Sequence, residues 1–173
     1  MKNQEIAKIF YGIADYLETD RADFRSNAYK KAGLNLEALE EDVENIYKKG
    51  GIKALKEIPA IGEGIAKKIE EYIKTGKVGT YEGLKQRLPI ALGEFLNIEG
   101  MGPRKAKILY QKLGIRNLRD LEKAVRSHKI APLFGFGEKS EKNILEGIVF
   151  LKKSKGRFLL GEIYLGNSNS KTR

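Results

Sequence analysis

The residues with the clearest chemical meaning are glycines, and they recur. Ile58-Pro-Ala-Ile-Gly-Glu-Gly-Ile-Ala-Lys-Lys-Ile69 is followed, 40 positions on, by Ile98-Glu-Gly-Met-Gly-Pro-Arg-Lys-Ala-Lys-Ile-Leu109. Each segment has an apolar residue four before a glycine, an alanine four after it and an aliphatic residue seven after it. Gly62, Ala66 and Ile69 therefore match Gly102, Ala106 and Leu109. A looser third copy, Phe134-Gly-Phe-Gly-Glu-Lys-Ser-Glu-Lys-Asn-Ile144, keeps Gly135 and Gly137 but has Glu141 at the alanine position. Glycine permits a tight turn and a close approach to the backbone. A helix begins just after each turn, and its first N–H groups have no partner within the helix. A phosphate accepts such bonds. The small alanines let one helix lie close on the other. The expected unit is two helices joined by a turn, with an anion site at the turn.

Other glycine-rich phosphate sites fit less well. A dinucleotide-binding turn follows a strand and needs a third glycine, and both are missing here. The G-x-x-x-x-G-K-[ST] phosphate loop is absent. An ordinary helix connection explains any single turn, but repetition with matched downstream residues favours phosphate binding.

The rest of the composition removes whole classes of chemistry. Among 173 residues there is no cysteine and one histidine, His128. Disulfides, cysteine-held metals and thiol nucleophiles are excluded, as is a His-rich metal site within one chain. No apolar run reaches the roughly 18–20 residues of a membrane span, and the first residues do not read as a signal peptide. The expected setting is cytoplasmic, nucleoid-associated in a prokaryote. The net charge of +10 favours a polyanionic partner. That charge is uneven. Residues 1–100 hold 16 Lys and Arg against 17 Asp and Glu, whereas residues 101–173 hold 17 against 6. Electrostatic affinity is expected from the second segment.

The elements that must hold these turns read as helices throughout. Ile6, Ile9, Phe10, Ile13 and Leu17 form one apolar stripe over residues 4–17. Phe24, Ala28 and Ala32 repeat it over 22–33, and a third helix starts near Glu40–Asp42 and ends at Gly50-Gly51. Further helices are predicted at about 52–57, 63–75, 80–87, 90–96, 103–113, 117–126 and 138–152. Arg157–Leu165 reads as extended, and the tail at 166–173 as disordered. Phe10, Phe24, Tyr72 and Phe95 are the expected aromatic core. Phe134 and Phe136 flank the third turn, and His128 is expected at the surface. The fold class is all-α, with helical subdomains at 1–80 and 88–150 joined near 79–90.

The motifs SNAYKKAG (26–33), IPAIGEGIAKKIEEYIKTGKV (58–78), IEGMGPRKAKILY (98–110) and FGFGEKSEKNILEGI (134–148) resemble helix-hairpin-helix elements. In order and spacing they are similar to the N-terminal half of a family X, polymerase beta-like DNA polymerase. The resemblance covers roughly residues 3–163 and implies a lyase-like domain followed by a DNA-binding fingers domain. Family polymerases carry a palm with paired metal-binding carboxylates beyond this point. No such pair follows residue 100 here, so no nucleotide transfer is expected from this chain alone.

By the same resemblance, Lys68 stands where the family forms a Schiff base with a 5′-deoxyribose phosphate, and Tyr29 matches a tyrosine beside it. An ordinary lysine, pKa about 10.4, is only on the order of 0.1% neutral near pH 7.4, so this chemistry needs a special environment. Arg25, Lys30 and Lys31 stand at basic phosphate-binding positions. Ile61, Gly62, Gly64 and Lys67 would meet DNA at the first turn, Gly100, Gly102, Arg104, Lys105 and Lys107 at the second, and Gly135, Gly137 and Lys139 at the third. Related hairpins hold a Na or K ion through carbonyls, here those of Lys56, Ile58, Ile61, Leu96, Ile98 and Met101; no other cofactor is implied. Two departures stand out. Gly64 replaces a phosphate-binding lysine of polymerase beta, and Ala60 replaces the first hairpin glycine. The implied partner of a monomeric chain is gapped, nicked or junction DNA, not a membrane. A non-catalytic hairpin protein and a protein-interaction scaffold are the alternative readings.

Overall fold

The computed structural model describes residues 1–20 and 23–168. Among them the regular structure is helical, with no strand, as the periodicity requires. The helices fall into two compact units, Met1–Leu92 and Gly93–Arg173.

The first unit is organised by α1 (Lys2–Thr19) and α2 (Asp23–Glu37), which pack along most of their length. Ile6, Phe10, Ile13 and Leu17 recur at helical spacing on α1 and are buried. Phe10 is wholly buried and meets the ring of Tyr29 edge-on at 5.6 Å, an arrangement that adds about 0.5–1.5 kcal/mol to the burial itself. Gly33 lets α2 come this close, since a β-carbon there would lie 2.5 Å from the Tyr11 ring. The face of α2 that is buried is Ser26, Tyr29, Ala32 and Leu36. This corrects the expected register: Phe24 is 91% exposed and Ala28 also faces solvent. Tyr72 is half-buried, and its hydroxyl donates to Glu5 at 2.6 Å.

Next comes α3 (Val43–Lys56), capped by Asp42, whose Oδ1 accepts the Glu44 N–H at 2.9 Å. Gly51, at φ 63°, breaks the helix without ending it. The chain then reaches α4 (Glu63–Thr75), which packs on α3, and α5 (Gly79–Arg87), which packs on α1.

In the second unit the short α6 (Leu92–Phe95) leads to α7 (Pro103–Leu113), α8 (Leu118–Arg126) and α9 (Glu138–Ser168). Its core contains Phe95, Ile98, Leu109, Leu121, Ile130 and Ile148. Glu122 on α8 pairs with Arg126 at 3.0 Å and with Lys152 on α9. Arg157–Leu165, read above as extended, continues α9 as helix. Residues 166–168 end that helix, and the rest of the predicted tail lies outside the described residues.

Candidate nucleic-acid interface

The three glycine-bearing segments fold into the same turn. Ile61 N–H donates to the Ile58 carbonyl at 3.1 Å, Met101 N–H to Ile98 at 3.0 Å and Phe136 N–H to Leu133 at 3.0 Å. The third position of each turn has positive φ: 67° at Ala60, 79° at Gly100 and 84° at Gly135. This is the pattern of a type II turn, in which proline suits the second position, as at Pro59, and glycine the third. The following helix starts identically each time. Ala66 N–H donates to the Gly62 carbonyl at 2.9 Å, Ala106 to Gly102 at 3.1 Å and Glu141 to Gly137 at 2.9 Å. Ala60 bears a strain that its glycine counterparts do not. Ala60→Gly is expected to stabilise the protein by about 0.5–1 kcal/mol, the relief of left-handed strain less the entropy that glycine adds to the unfolded chain. Urea unfolding checks this.

The helix starts themselves are left open. Gly62 and Gly102 are the N-cap residues of α4 and α7, and neither helix has a side-chain cap. Both glycines have ordinary negative φ, and a β-carbon at either would meet nothing within 4 Å. Folding does not demand glycine at these two positions. Ala66 and Ala106 are wholly buried, as expected of the residues that seat the second helix.

The three sites differ in charge. Glu63, in the first turn of α4, binds Lys56 at 3.3 Å and Lys67 at 3.7 Å, and the Lys56 hydrogen bond holds its carboxyl below the usual range. The first hairpin thus has an anion of its own beside the amides. The first turn of α7 has no acid, and Pro103 fills its first position. Arg104 is exposed there, while Lys105 and Lys107 are half-buried. Lys105 Nζ lies 5.5 Å from the centre of the Phe136 ring, which ties the second hairpin to the third within this unit. In the third hairpin Lys139 is exposed, and Glu141 is 5% exposed. Its Oε2 accepts the Ala131 N–H at 2.7 Å and its Oε1 lies 2.6 Å from His128 Nδ1. Burial pushes the Glu141 carboxyl up, but the Ala131 N–H and the His128 ring outweigh it and hold it below the usual range. His128 itself is exposed, as expected, with φ 54°.

Lys68 is half-buried on α4, and among the described residues no acid pairs with it, in contrast to Lys67. Tyr29 lies in the core with its ring against Phe10. Arg25 and Lys31 are exposed on α2, whereas Lys30 is bound to Glu18, which also accepts from Ser26 at 3.0 Å. Next to them is Asp15, a residue that sequence reasoning missed. Burial pushes its carboxyl up to about 6, Glu18 adds to the rise and Lys30 opposes it. The folded state therefore binds the extra proton between about pH 4 and 6, and this contribution to stability falls as pH rises through that window. Asp15→Asn is expected to raise Tm at pH 7 and to change it little at pH 4, as read by thermal melts at the two values.

Of the carbonyls proposed for a cation, those of Ile58 and Ile98 each accept one turn hydrogen bond. Among the described residues, those of Lys56, Ile61, Leu96 and Met101 accept no turn, loop or side-chain hydrogen bond. Neutral oxygens with unused lone pairs suit a hard monovalent ion.

Two family models match the chain: a helix-hairpin-helix domain at residues 1–78 and a SAM-like helix-hairpin-helix tandem at 92–148. It is 33% identical over 162 residues to the DNA polymerase/3'-5' exonuclease PolX of Bacillus subtilis (strain 168), covering 93% of this chain and 27% of that protein. DNA polymerase lambda of Arabidopsis thaliana is 30% identical over 69% of this chain and 22% of its own. DNA ligase of Cytophaga hutchinsonii shares 37% identity over 42% of this chain and 11% of its own. The chain thus spans about a quarter or less of the length of these relatives. Repeated turns, open helix starts and matched sequence agree that the chain belongs with the helix-hairpin-helix proteins and corresponds to the N-terminal helix-hairpin-helix portion of a family X DNA polymerase.

Proposed function

We propose that the protein is a repair-type module that binds gapped or 5′-phosphate-ended DNA by its backbone, without reading base sequence. The observation that carries this is the pair of uncapped helix starts at Gly62 and Gly102, built on one turn geometry. Amides aimed at phosphates position DNA but carry no sequence information. Charge assigns most of the affinity to the second unit, where 17 Lys and Arg face 8 Asp and Glu. Neutralising about five phosphates gives a log–log salt slope of roughly −4 to −5 on duplex DNA. A titration at several salt concentrations tests the reading. Lys105→Ala should flatten the slope by about 1 and weaken unrelated sequences equally. A salt-independent affinity overturns it. A Na or K ion held by the Lys56, Ile58 and Ile61 carbonyls, and by Leu96, Ile98 and Met101, would place positive charge beside the turns.

A second reading rests on Lys68, which pairs with no acid among the described residues and lies six residues beyond Gly62 on α4. In it the Lys68 amine adds to the aldehyde carbon of a 5′-deoxyribose phosphate and expels water. The resulting iminium acidifies the neighbouring carbon, loss of that proton expels the DNA 5′-phosphate, and water then hydrolyses the imine to free the lysine. Arg25 and Lys31, exposed on α2, are the cations for that phosphate, and Tyr29 backs α2 from the core.

A further inference from the structure

The third hairpin carries a residue that backbone binding does not use. Phe134, at the second position of its turn, is 99% exposed. The same position holds Pro59 and Glu99 in the other two turns, both exposed, so the turn does not require an apolar side chain there. Phe136, two residues on, is accounted for: it is half-buried beneath Lys105. Among the described residues Phe134 has no ring contact, yet it sits on a turn closed by the Phe136 N–H to Leu133 hydrogen bond, with Gly135 held at φ 84°. It is a large apolar side chain on a fixed support, facing water.

Its surroundings point to what covers it. Lys105 and the exposed Lys139 and Lys142 lie in the same hairpin region, within the unit that holds nearly all the excess positive charge. A polyanion is therefore the molecule drawn to this surface. The first turn of α9 carries Glu138 and Glu141, and Glu141 is turned onto Ala131 and His128, so the lysines rather than the helix start would hold a phosphate here, with a base one sugar away. In a continuous duplex both faces of each base are covered by neighbours, so only an unpaired or terminal base offers a free face.

We infer that Phe134 is a base-stacking residue, which covers an unpaired nucleobase on the strand held by the third hairpin. This rests on the DNA-binding reading above and adds to it a preference for DNA with an unpaired nucleotide over intact duplex. Because every base has a π-face, the preference tolerates any sequence.

The chain contains no tryptophan, so Phe134→Trp installs a single reporter at the turn. The full chain with this substitution is titrated with three DNAs of equal length: a one-nucleotide gap, the same gap with an abasic template position, and continuous duplex. Anisotropy of labelled DNA follows binding in parallel. The expected result is quenching of tryptophan emission by the gapped DNA, with little change from the abasic or duplex DNA. Phe134→Ala should weaken gapped DNA about tenfold and duplex less than twofold. Binding by anisotropy with equal emission changes for all three DNAs overturns the stacking assignment and leaves backbone binding standing. So does quenching that grows with protein concentration in the absence of DNA, which would make Phe134 a contact between copies. An absence of DNA binding by anisotropy overturns both readings.

Discussion

Lys68→Ala is expected to abolish the covalent adduct trapped by borohydride on a 5′-deoxyribose phosphate substrate, a loss of at least a hundredfold. The expectation is large because covalent catalysis has no partial form: without the amine there is no imine to reduce. Lys67→Ala is the matched control. Lys67 stands next to Lys68 in sequence, but successive helical residues point about 100° apart, and Lys67 is already paired with Glu63 at 3.7 Å. It should trap nearly as well as the parent. Equal trapping by Lys68→Ala would move the nucleophile elsewhere on the chain. Absence of trapping by the parent would remove the lyase reading while leaving DNA binding untouched, since the uncapped α4 and α7 starts do not involve the lysine side chain.

Gly147→Leu is expected to cripple the second hairpin from behind. A β-carbon at Gly147 on α9 would lie 2.9 Å from Ile98 Cγ2. Ile98 is 2% exposed, is β-branched and supplies the carbonyl that closes the second turn. It cannot swing aside without moving that turn. The overpacking should cost about 1–3 kcal/mol of stability, and DNA affinity should fall about tenfold or more because the Gly102 amides are displaced. Denaturant unfolding and a binding titration read the two effects. Gly83→Leu on α5, where a β-carbon meets nothing within 4 Å, is the control for adding bulk at a helical glycine.

The hairpins were readable from sequence because glycine and alanine stand at fixed offsets, and the chain repeats those offsets. The starts of α4 and α7 fall at the predicted positions for that reason: Gly62 and Gly102 directly follow the turns and cap the helices. Phe24 was misread because α2 has two faces of similar apolarity. Tyr29, Ala32 and Leu36 won the core by packing on α1, a tertiary outcome that periodicity within one helix does not decide. The Asp15, Glu18 and Lys30 group was invisible because it joins residues of two different helices, α1 and α2. Glu141 was seen only as a departure from the alanine pattern. In the fold it is a buried acceptor that fastens the segment after α8, through Ala131 and His128, to the third hairpin. Arg157–Leu165 lacks the polar alternation that separates a strand from a continued helix, and it simply extends α9.

On the DNA-binding reading proposed above, Glu63 gives the first hairpin a different working life from the second. Any phosphate arriving at the α4 amides must compete with a carboxylate that already holds Lys56 and Lys67. Such a site releases what it captures quickly, because the displaced carboxylate is always at hand to reclaim its lysines. Fast release is a handicap for an anchor and an advantage for a site that must let go of a phosphate after each round. The α7 start has no rival acid in its first turn, so the same reading expects longer residence there. On that reading one repeated motif would supply both a slow grip and a rapid exchange, with a single acidic residue setting the difference.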